Sequence, residues 1–425
     1  MKTIKTKKYL IFFLLSLFFS FGISEFLILS GKIKISMLDN YPTYTPSPSE
    51  VVVRFYGGLG NNMFQYAAGL SYAKQHNKSL KIVGNFKNIS EVFFVSENDY
   101  VKGRPLTENA YIERDASLDF RDAMDNSSFQ YLNGYFQDEN IFKKNRDLIL
   151  ELFKFKNELT PKNKKLADKI KSTNSVSIHI RRGDYLVACY NDMLSNYYYN
   201  HAMDYISSKV ENPHFYIFSD DIEWVKKNLN VKYPHTFVDN NQEKESADQD
   251  MHLMSLCKHN IIANSTFSWW GAWLNQNPEK IVLVPRVWLT GTIAQKDTKN
   301  VIPEDWIRIK EKADVGILKI GKFTDAEKKN MNKYFLPFDR KKYFEYETNL
   351  DVLNDVEQLE QLDYIFLVQK EVVLTQEINY KVVPDMKEKY LVYNIQKQDF
   401  EETTNNSFDV LSFKGNQVKD FFKKK

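Results

Sequence analysis

Ser175-Val176-Ser177-Ile178-His179-Ile180-Arg181-Arg182-Gly183-Asp184 decides how this chain is to be read. Its first part alternates polar and apolar residues, all three of the apolar ones β-branched, which is the pattern of a strand. It then opens into two arginines, a glycine and an aspartate. Paired guanidinium groups at the mouth of a buried strand are costly without anions, and their planar forks match phosphate oxygens in geometry and charge. Neighbouring residues on an extended segment point to opposite sides. One of Arg181 and Arg182 is therefore expected to hold phosphates, and the other a local carboxylate such as Asp184. A surface salt bridge is the structural alternative.

Working outward, short apolar runs at Phe215 to Phe218, Thr236 to Val238, Asn260 to Ala263 and Ile281 to Val284 read as further strands, separated by helical patterns such as Tyr197 to Lys209 and Ala247 to Cys257. This alternation predicts a doubly wound α/β sheet, whose ligands sit beyond the carboxyl ends of the strands. Polar motifs fall there. Tyr216-Ile217-Phe218-Ser219-Asp220-Asp221 ends in paired carboxylates, which could hold a metal, cap a helix or face a guanine edge. One aspartate is expected to cap, leaving the other for a ligand. Asn264-Ser265-Thr266-Phe267-Ser268-Trp269-Trp270-Gly271 offers hydroxyls and N–H groups at a strand-to-helix turn, a seat for phosphate. Its tryptophans either wall off water or belong to the core. Asn264 begins a glycosylation triplet, but a site in a cleft would be a poor acceptor.

Upstream, Val51 to Phe55 reads as a strand, Met63, Tyr66, Ala67, Leu70 and Ala73 recur at helical spacing, and Leu80 to Val83 reads as a second strand. Between them stands Gly57-Gly58-Leu59-Gly60-Asn61-Asn62-Met63-Phe64-Gln65. It fails as a dinucleotide fingerprint, because Met63 replaces the third glycine, and it lacks the Lys-Ser/Thr pair of a P-loop. Tight structural turn and ligand loop remain equal readings. Residues from Asn85 to about Phe155 are taken as the rest of a first α/β domain.

Composition narrows the function. The 425 residues, 43% of them hydrophobic, supply surface for more than one core, and the formal charge of +3 is far from the basic field of a nucleic-acid binder. Cys189 and Cys257 are not in metal or redox spacing and read as buried thiols. Lys2, Lys5, Lys7 and Lys8 precede an apolar run from Tyr9 to Ile23 that resumes at Phe26 to Leu29. This predicts a membrane anchor over residues 9–30 with a cytoplasmic tail at 1–8, the rest of the chain lying across the membrane. A cleavable signal peptide is the rival. Pro42, Pro46 and Pro48 mark a stem over residues 31–50. Triplets at Asn77, Asn88, Asn126 and Asn405 fit a luminal location.

Together and in this order, Gly57 to Gln65, His179 to Asp184, the strand ending at Asp220-Asp221, and Asp250-Met251-His252-Leu253-Met254-Ser255 through Asn264 to Trp273 resemble glycosyltransferase family 11, the α-1,2-fucosyltransferases. The resemblance spans roughly Val51 to Lys310. It implies a GT-B architecture of two facing Rossmann-like domains, at residues 51–174 and 175–310. It also implies inverting transfer from GDP-β-L-fucose to a glycan hydroxyl, here the 2-OH of a galactoside, with no metal and no further cofactor. Carried over, it sets Arg181 or Arg182 on the β-phosphate and His179 near ribose and guanine. Asp220 or Asp221 would face the base, and Ser265, Thr266 and Ser268 would surround the diphosphate. Gly58, Gly60 and Asn61 would close on the fucose side. Asp184 is the carboxylate nearest the arginines, and no base is identified. Asn62 departs from the glutamine usual in the family, which bears on the acceptor or fucose contact there. The membrane of residence would be the Golgi, with the catalytic part luminal, or a bacterial inner membrane.

Residues 311–425 lie beyond that resemblance. Val315 to Ile320, Lys333 to Pro337 and Leu362 to Leu367 are similar to the opening half of family 6 glycosyltransferases, but Val368-Gln369-Lys370 stands where that family has a metal-binding element. The tail is thus expected to be an accessory α/β segment. Two other functions stay open: an inactive nucleotide-sugar or glycan-binding protein, and a protein O-fucosyltransferase.

Overall fold

A computed structural model describes residues 42–113, 119–186, 193–241, 247–289 and 300–311, together with the backbone of six strands between 315 and 414. The anchor expected over residues 9–30 lies outside the described residues. Among the described residues, no helix is long and apolar enough to cross a membrane.

The first unit is built on four parallel strands: β1 (Glu50–Phe55), β2 (Ser79–Gly84), β3 (Ala110–Ile112) and β4 (Tyr131–Asn133), in the order β2-β1-β4-β3. Helix α1 (Leu59–Gln75) crosses from β1 to β2, as the apolar spacing predicted, and lays Met63, Tyr66, Ala67 and Ala73 into the core. Thr43–Tyr44, assigned to the stem by its prolines, pairs with Arg104–Pro105, and Gln130 donates to the Pro46 carbonyl at 3.0 Å. The chain therefore packs on this unit from Pro42 onward. The short helix α2 (Arg146–Leu152) closes the unit.

Helix α3 (Pro161–Ser172), which the sequence reading placed in the first domain, belongs with the second. Thr160 caps it by accepting from the Asn163 N–H, and Asn163 donates to Asn241 at 2.8 Å and to Gln249 at 3.1 Å. The second sheet comprises β5 (Asn174–Ile180), β6 (Pro213–Ser219), β7 (His235–Phe237), β8 (His259–Ile261), β9 (Val282–Pro285) and β10 (Ile307–Ile309). They are all parallel, in the order β10-β9-β8-β5-β6-β7. This is the doubly wound order of nucleotide-binding sheets, and its direction reverses between β5 and β8. Helices α4 (Asn196–Ser207), α5 (Ile222–Asn228), α6 (Ala247–Leu256) and α7 (Thr266–Trp273) make the crossovers.

One hydrophobic core runs through both units. Phe64, Phe142 and Phe153 of the first share it with Trp269, Trp270, Trp273 and Trp306 of the second. Trp269 and Trp270 are fully buried, so their large apolar surface serves packing. Cys257 is a buried thiol, as expected, and Cys189 lies outside the described residues.

The tail forms a sheet of its own: β11 (Val315–Ile320), β12 (Lys341–Tyr346), β13 (Tyr364–Gln369), β14 (Tyr390–Asn394), β15 (Asp399–Thr403) and β16 (Val410–Lys414), ordered β12-β11-β13-β16-β14-β15. β11 to β13 pair in parallel, and the other pairings are antiparallel. Val368 and Gln369 lie inside β13 rather than on a loop after it.

Candidate functional site

The switch point of the second sheet is where the two specific motifs emerge. Arg181 and Arg182 follow β5, and Asn264 to Thr266 lead from β8 into α7. Ser265 occupies the N-cap of α7 without a side-chain bond to that helix. Its first amides therefore lack this cap, and together with the helix dipole they form a seat for an anion.

The arginines differ in a way strand geometry alone did not resolve. Arg181 donates through Nε and Nη2 to Asp184 Oδ1 at 3.0 and 2.7 Å, and its Nη1 lies 2.9 Å from Asp220 Oδ2. Arg182 donates through Nε to Asp221 Oδ2 at 3.0 Å, with its guanidinium carbon 3.3 Å from the centre of the Trp224 ring. The Arg181 side chain keeps 30% exposure against 10% for Arg182. The arginine that holds Asp184 is thus also the one open to a ligand, whereas Arg182 is a buried strut. The local carboxylate held by the more buried arginine is Asp221, where the sequence offered Asp184 as the example.

The carboxylate pair is also differently employed. Asp221 caps α5 by accepting from the Trp224 N–H at 3.3 Å, as expected of one of the two. Asp220 is not left over: it accepts from the Arg182 N–H at 2.9 Å besides pairing with Arg181. Gly183 allows this approach, since a Cβ there would stand 2.6 Å from Asp220 Oδ2.

His179, the penultimate residue of β5, is buried with no partner for its Nδ1, and its ring is 5.4 Å from that of Phe267. Burial, with a smaller push from Arg181, drives its pKa down to about 3, so the imidazole is neutral throughout the working range. It can exchange a hydrogen bond with a ligand but carries no charge for it. An orphaned buried nitrogen beside an anion seat is itself a sign of a missing partner.

The remaining expected residues divide. Thr266 is half-buried at the start of α7 and Ser265 stands just before it. Ser268 does not face the seat, because its hydroxyl is buried and donates to the Ala263 and Ser265 carbonyls at 3.1 and 3.0 Å. In the glycine loop, Gly57 has φ +81°, where a side chain would be strained, and Gly58 has no atom within 4 Å of the place a Cβ would take. Gly60 is pressed against the other unit instead: a Cβ would lie 2.5 Å from the Thr266 carbonyl carbon and 2.7 Å from the Phe267 nitrogen. Of the three loop residues expected at the sugar, Gly58 is open, Gly60 is an interdomain contact, and Asn61 accepts from Gln137 at 3.2 Å. Asn62 is fully buried and donates to the Tyr56 carbonyl and Gln65 at 3.1 Å. It braces the loop from within.

Two residues were not foreseen. Trp224 carries the Arg182 guanidinium, and Tyr185 donates its phenol to the Asn264 carbonyl at 2.7 Å, tying the arginine loop to the anion seat. Trp224 could have been noticed as an aromatic in the first turn of a polar helix; nothing in the sequence marks Tyr185. Asn264 is buried and donates to the Trp288 carbonyl at 3.1 Å, consistent with its exclusion as a glycan acceptor. Among the described residues, no group of three or more His, Cys, Asp or Glu side chains could hold a metal ion.

The family described as Glycosyl transferase family 11 matches residues 35–310. An alpha-1,2-colitosyltransferase of Escherichia coli is 33% identical over 303 residues, which are 62% of this chain and all of that protein. A galactoside 2-alpha-L-fucosyltransferase of Bos taurus is 22% identical over 247 residues, covering 55% of this chain and 67% of that one. Among solved structures, the fucosyltransferase NodZ from Bradyrhizobium aligns with a TM-score of 0.38 at 15% identity, covering 57% of this chain and 97% of its own.

Proposed function

From the premise that the chain belongs to glycosyl transferase family 11, we propose that it transfers L-fucose from GDP-β-L-fucose, with inversion, to the 2-OH of a galactoside. The observation that carries this reading is the half-open Arg181 at the switch point, set beside the start of α7. In the proposed reaction the acceptor oxygen attacks C1 of fucose from the face opposite GDP. The bond from C1 to the β-phosphate oxygen breaks, its electron pair passes to that oxygen, and the acceptor hydroxyl's proton passes to solvent water. Negative charge grows on the departing diphosphate, where a fixed guanidinium and unpaired helix amides stabilise it most. Phosphate would compete with Asp184 and Asp220 for Arg181, so donor binding and release of those carboxylates go together. The two units would face each other as in GT-B enzymes, with no metal required at the diphosphate.

The test is turnover of GDP-fucose with a panel of β-galactosides, followed by linkage analysis of the product. Linkage to a position other than O2, or transfer only to protein hydroxyls, would overturn the acceptor assignment. Binding of GDP-fucose without any turnover would favour the inactive binding protein. The similarity to an alpha-1,2-colitosyltransferase over that protein's whole length favours a second donor reading. Colitose lacks the 3-hydroxyl of fucose, so assay of both GDP-sugars distinguishes the two. We propose residues 9–30 as the anchor, in the Golgi or a bacterial inner membrane; protease protection of the catalytic region in sealed vesicles tests it.

A further inference from the structure

The first sheet has a switch point of its own, and the donor site leaves it unused. Its strand order reverses between β1 and β4, and the crevice outside such a pair is where ligands of parallel sheets settle. Tyr56 leaves β1 at that point and Tyr135 follows β4. Their rings meet edge-on with centroids 4.7 Å apart, and the Arg54 guanidinium carbon is 5.8 Å from the Tyr56 ring centre. Tyr135 is 42% exposed, although it adjoins the fully buried Phe136.

The backbone there is strained. Phe136 has φ +53°, a left-handed conformation that a bulky residue keeps only when its surroundings hold it. Glu113, one residue past β3, is the holder: its carboxylate accepts the N–H groups of Tyr135 at 2.5 Å and Phe136 at 3.1 Å. Gln65 fastens the same loop by donating to the Gly134 carbonyl at 3.2 Å. Gln137 donates to Asn61 at 3.2 Å, which joins it to the glycine loop and the open side of Gly58. An ordinary turn would have served to leave β4. What this construction adds is a rigid aromatic surface in the crevice.

A rigid, half-exposed aromatic ring beside a carboxylate and amides suits a pyranose, whose C–H face stacks on the ring while its hydroxyls reach the polar rim. We propose that Tyr135, backed by Tyr56, is the platform for the acceptor saccharide, and that Glu113 is the positioning residue that fixes it. This rests on the glycosyl transfer proposed above.

The full chain is tested with Tyr135→Ala, Tyr135→Phe and Glu113→Gln, using whichever β-galactoside the unaltered protein turns over fastest. Tyr135→Ala should raise the acceptor KM about tenfold or more, and Tyr135→Phe should restore it to within about threefold. Glu113→Gln should raise it to an intermediate degree, while the Kd for GDP, read by calorimetry, stays within about twofold in all three. An unchanged acceptor KM in Tyr135→Ala would overturn the platform and leave the donor reading standing. So would an equal loss of acceptor and GDP affinity, which would mean a collapsed fold. An unaltered chain that neither binds GDP nor consumes GDP-fucose would overturn the donor reading and the platform with it.

Discussion

The indole nitrogen of Trp270 donates to the carbonyl of Gly60 at 3.0 Å, joining residues 210 positions apart. The same helix is held at its other end: Arg146 donates to the Trp273 carbonyl at 3.0 Å, and Lys280 donates to the Ala272 carbonyl at 2.8 Å. Helix α7 thus carries the anion seat of the second unit on a body buried in the core of the first. Burial pushes the Lys280 pKa down to about 8, so this cap weakens above neutrality. The glycine loop and the Ser265 turn are consequently fixed against each other before any ligand arrives. Preorganisation of this kind is what electrostatic catalysis requires.

Gly60→Ala tests that join. The added methyl would meet backbone atoms of Thr266 and Phe267 that cannot swing away, so overpacking should cost about 1–3 kcal/mol. Gly58→Ala, where there is room, should melt within a few degrees of the parent. Thermal melting of the two variants checks the contrast.

The arginines should separate binding from folding. Arg181→Ala should slow turnover about a hundredfold or more, with stability little changed, since its partners Asp184 and Asp220 stay partly solvated. Arg182→Ala should instead lower stability by about 1–3 kcal/mol, because it removes the Trp224 stack and leaves Asp221 short of a partner. Arg181→Lys keeps the charge without the fork and should rescue only in part. Turnover measured beside melting for each variant decides, and a reversed pattern would reassign the two roles.

Much of this was legible because the second sheet announces itself. Strands read at Ser175 to Ile180, from its alternation, and at Phe215 to Phe218, from its continuous apolar run, form at Asn174–Ile180 and Pro213–Ser219. What failed to show was the use made of each polar side chain. Asp220 and Asp221 are adjacent and identical, and only the third dimension gives one to a helix cap and the other to both arginine segments. Ser268 and Asn62 sit inside ligand-like motifs, yet their side chains bond inward. The region from Asn85 to Phe155 stayed unread because β3 and β4 are only three residues each, too short for periodicity to register.

If Arg181 takes the place of a metal at the diphosphate, transfer assayed in EDTA should proceed at nearly the rate found with added magnesium or manganese. Activity lost to the chelator and restored only by manganese would return the carboxylates at Asp220 and Asp221 to consideration as metal ligands.

Asp250 gives a pH signature in stability. Its carboxylate accepts from Asn241 at 2.7 Å, but burial, helped by nearby Asp248, raises its pKa from 3.8 to about 7. A folded-state pKa above the unfolded one means that the favourable contribution is complete below about pH 3.8 and is lost as pH rises through 7. Each tenfold difference in proton affinity between the folded and unfolded chain is worth roughly 1.4 kcal/mol. Asp250→Asn can keep the Asn241 bond and does not titrate. The melting temperature of the parent relative to this variant should therefore fall from pH 4.5 to pH 7.5, and parallel curves would refute the assignment.

The family match ends at residue 310, and Glu311, just beyond it, still makes contacts with the second unit. Ser195, which precedes α4, donates its hydroxyl to the Glu311 carbonyl at 2.7 Å, and the Glu311 carboxylate accepts the Val287 N–H. Both contacts tie loops at the carboxyl side of the second sheet, near the arginine segment and the Trp288 carbonyl that anchors Asn264. The tail sheet pairs only with its own strands among the described residues. A chain ending after Lys312 should then fold and transfer at nearly the full rate, while one ending before Glu311 should lose about 1–3 kcal/mol from two broken bonds and the buried N–H left behind. Melting and turnover of the two truncations, compared with Glu311→Gln in the full chain, check this. A chain ending after Lys312 that is folded but inactive would show that the tail participates in the chemistry.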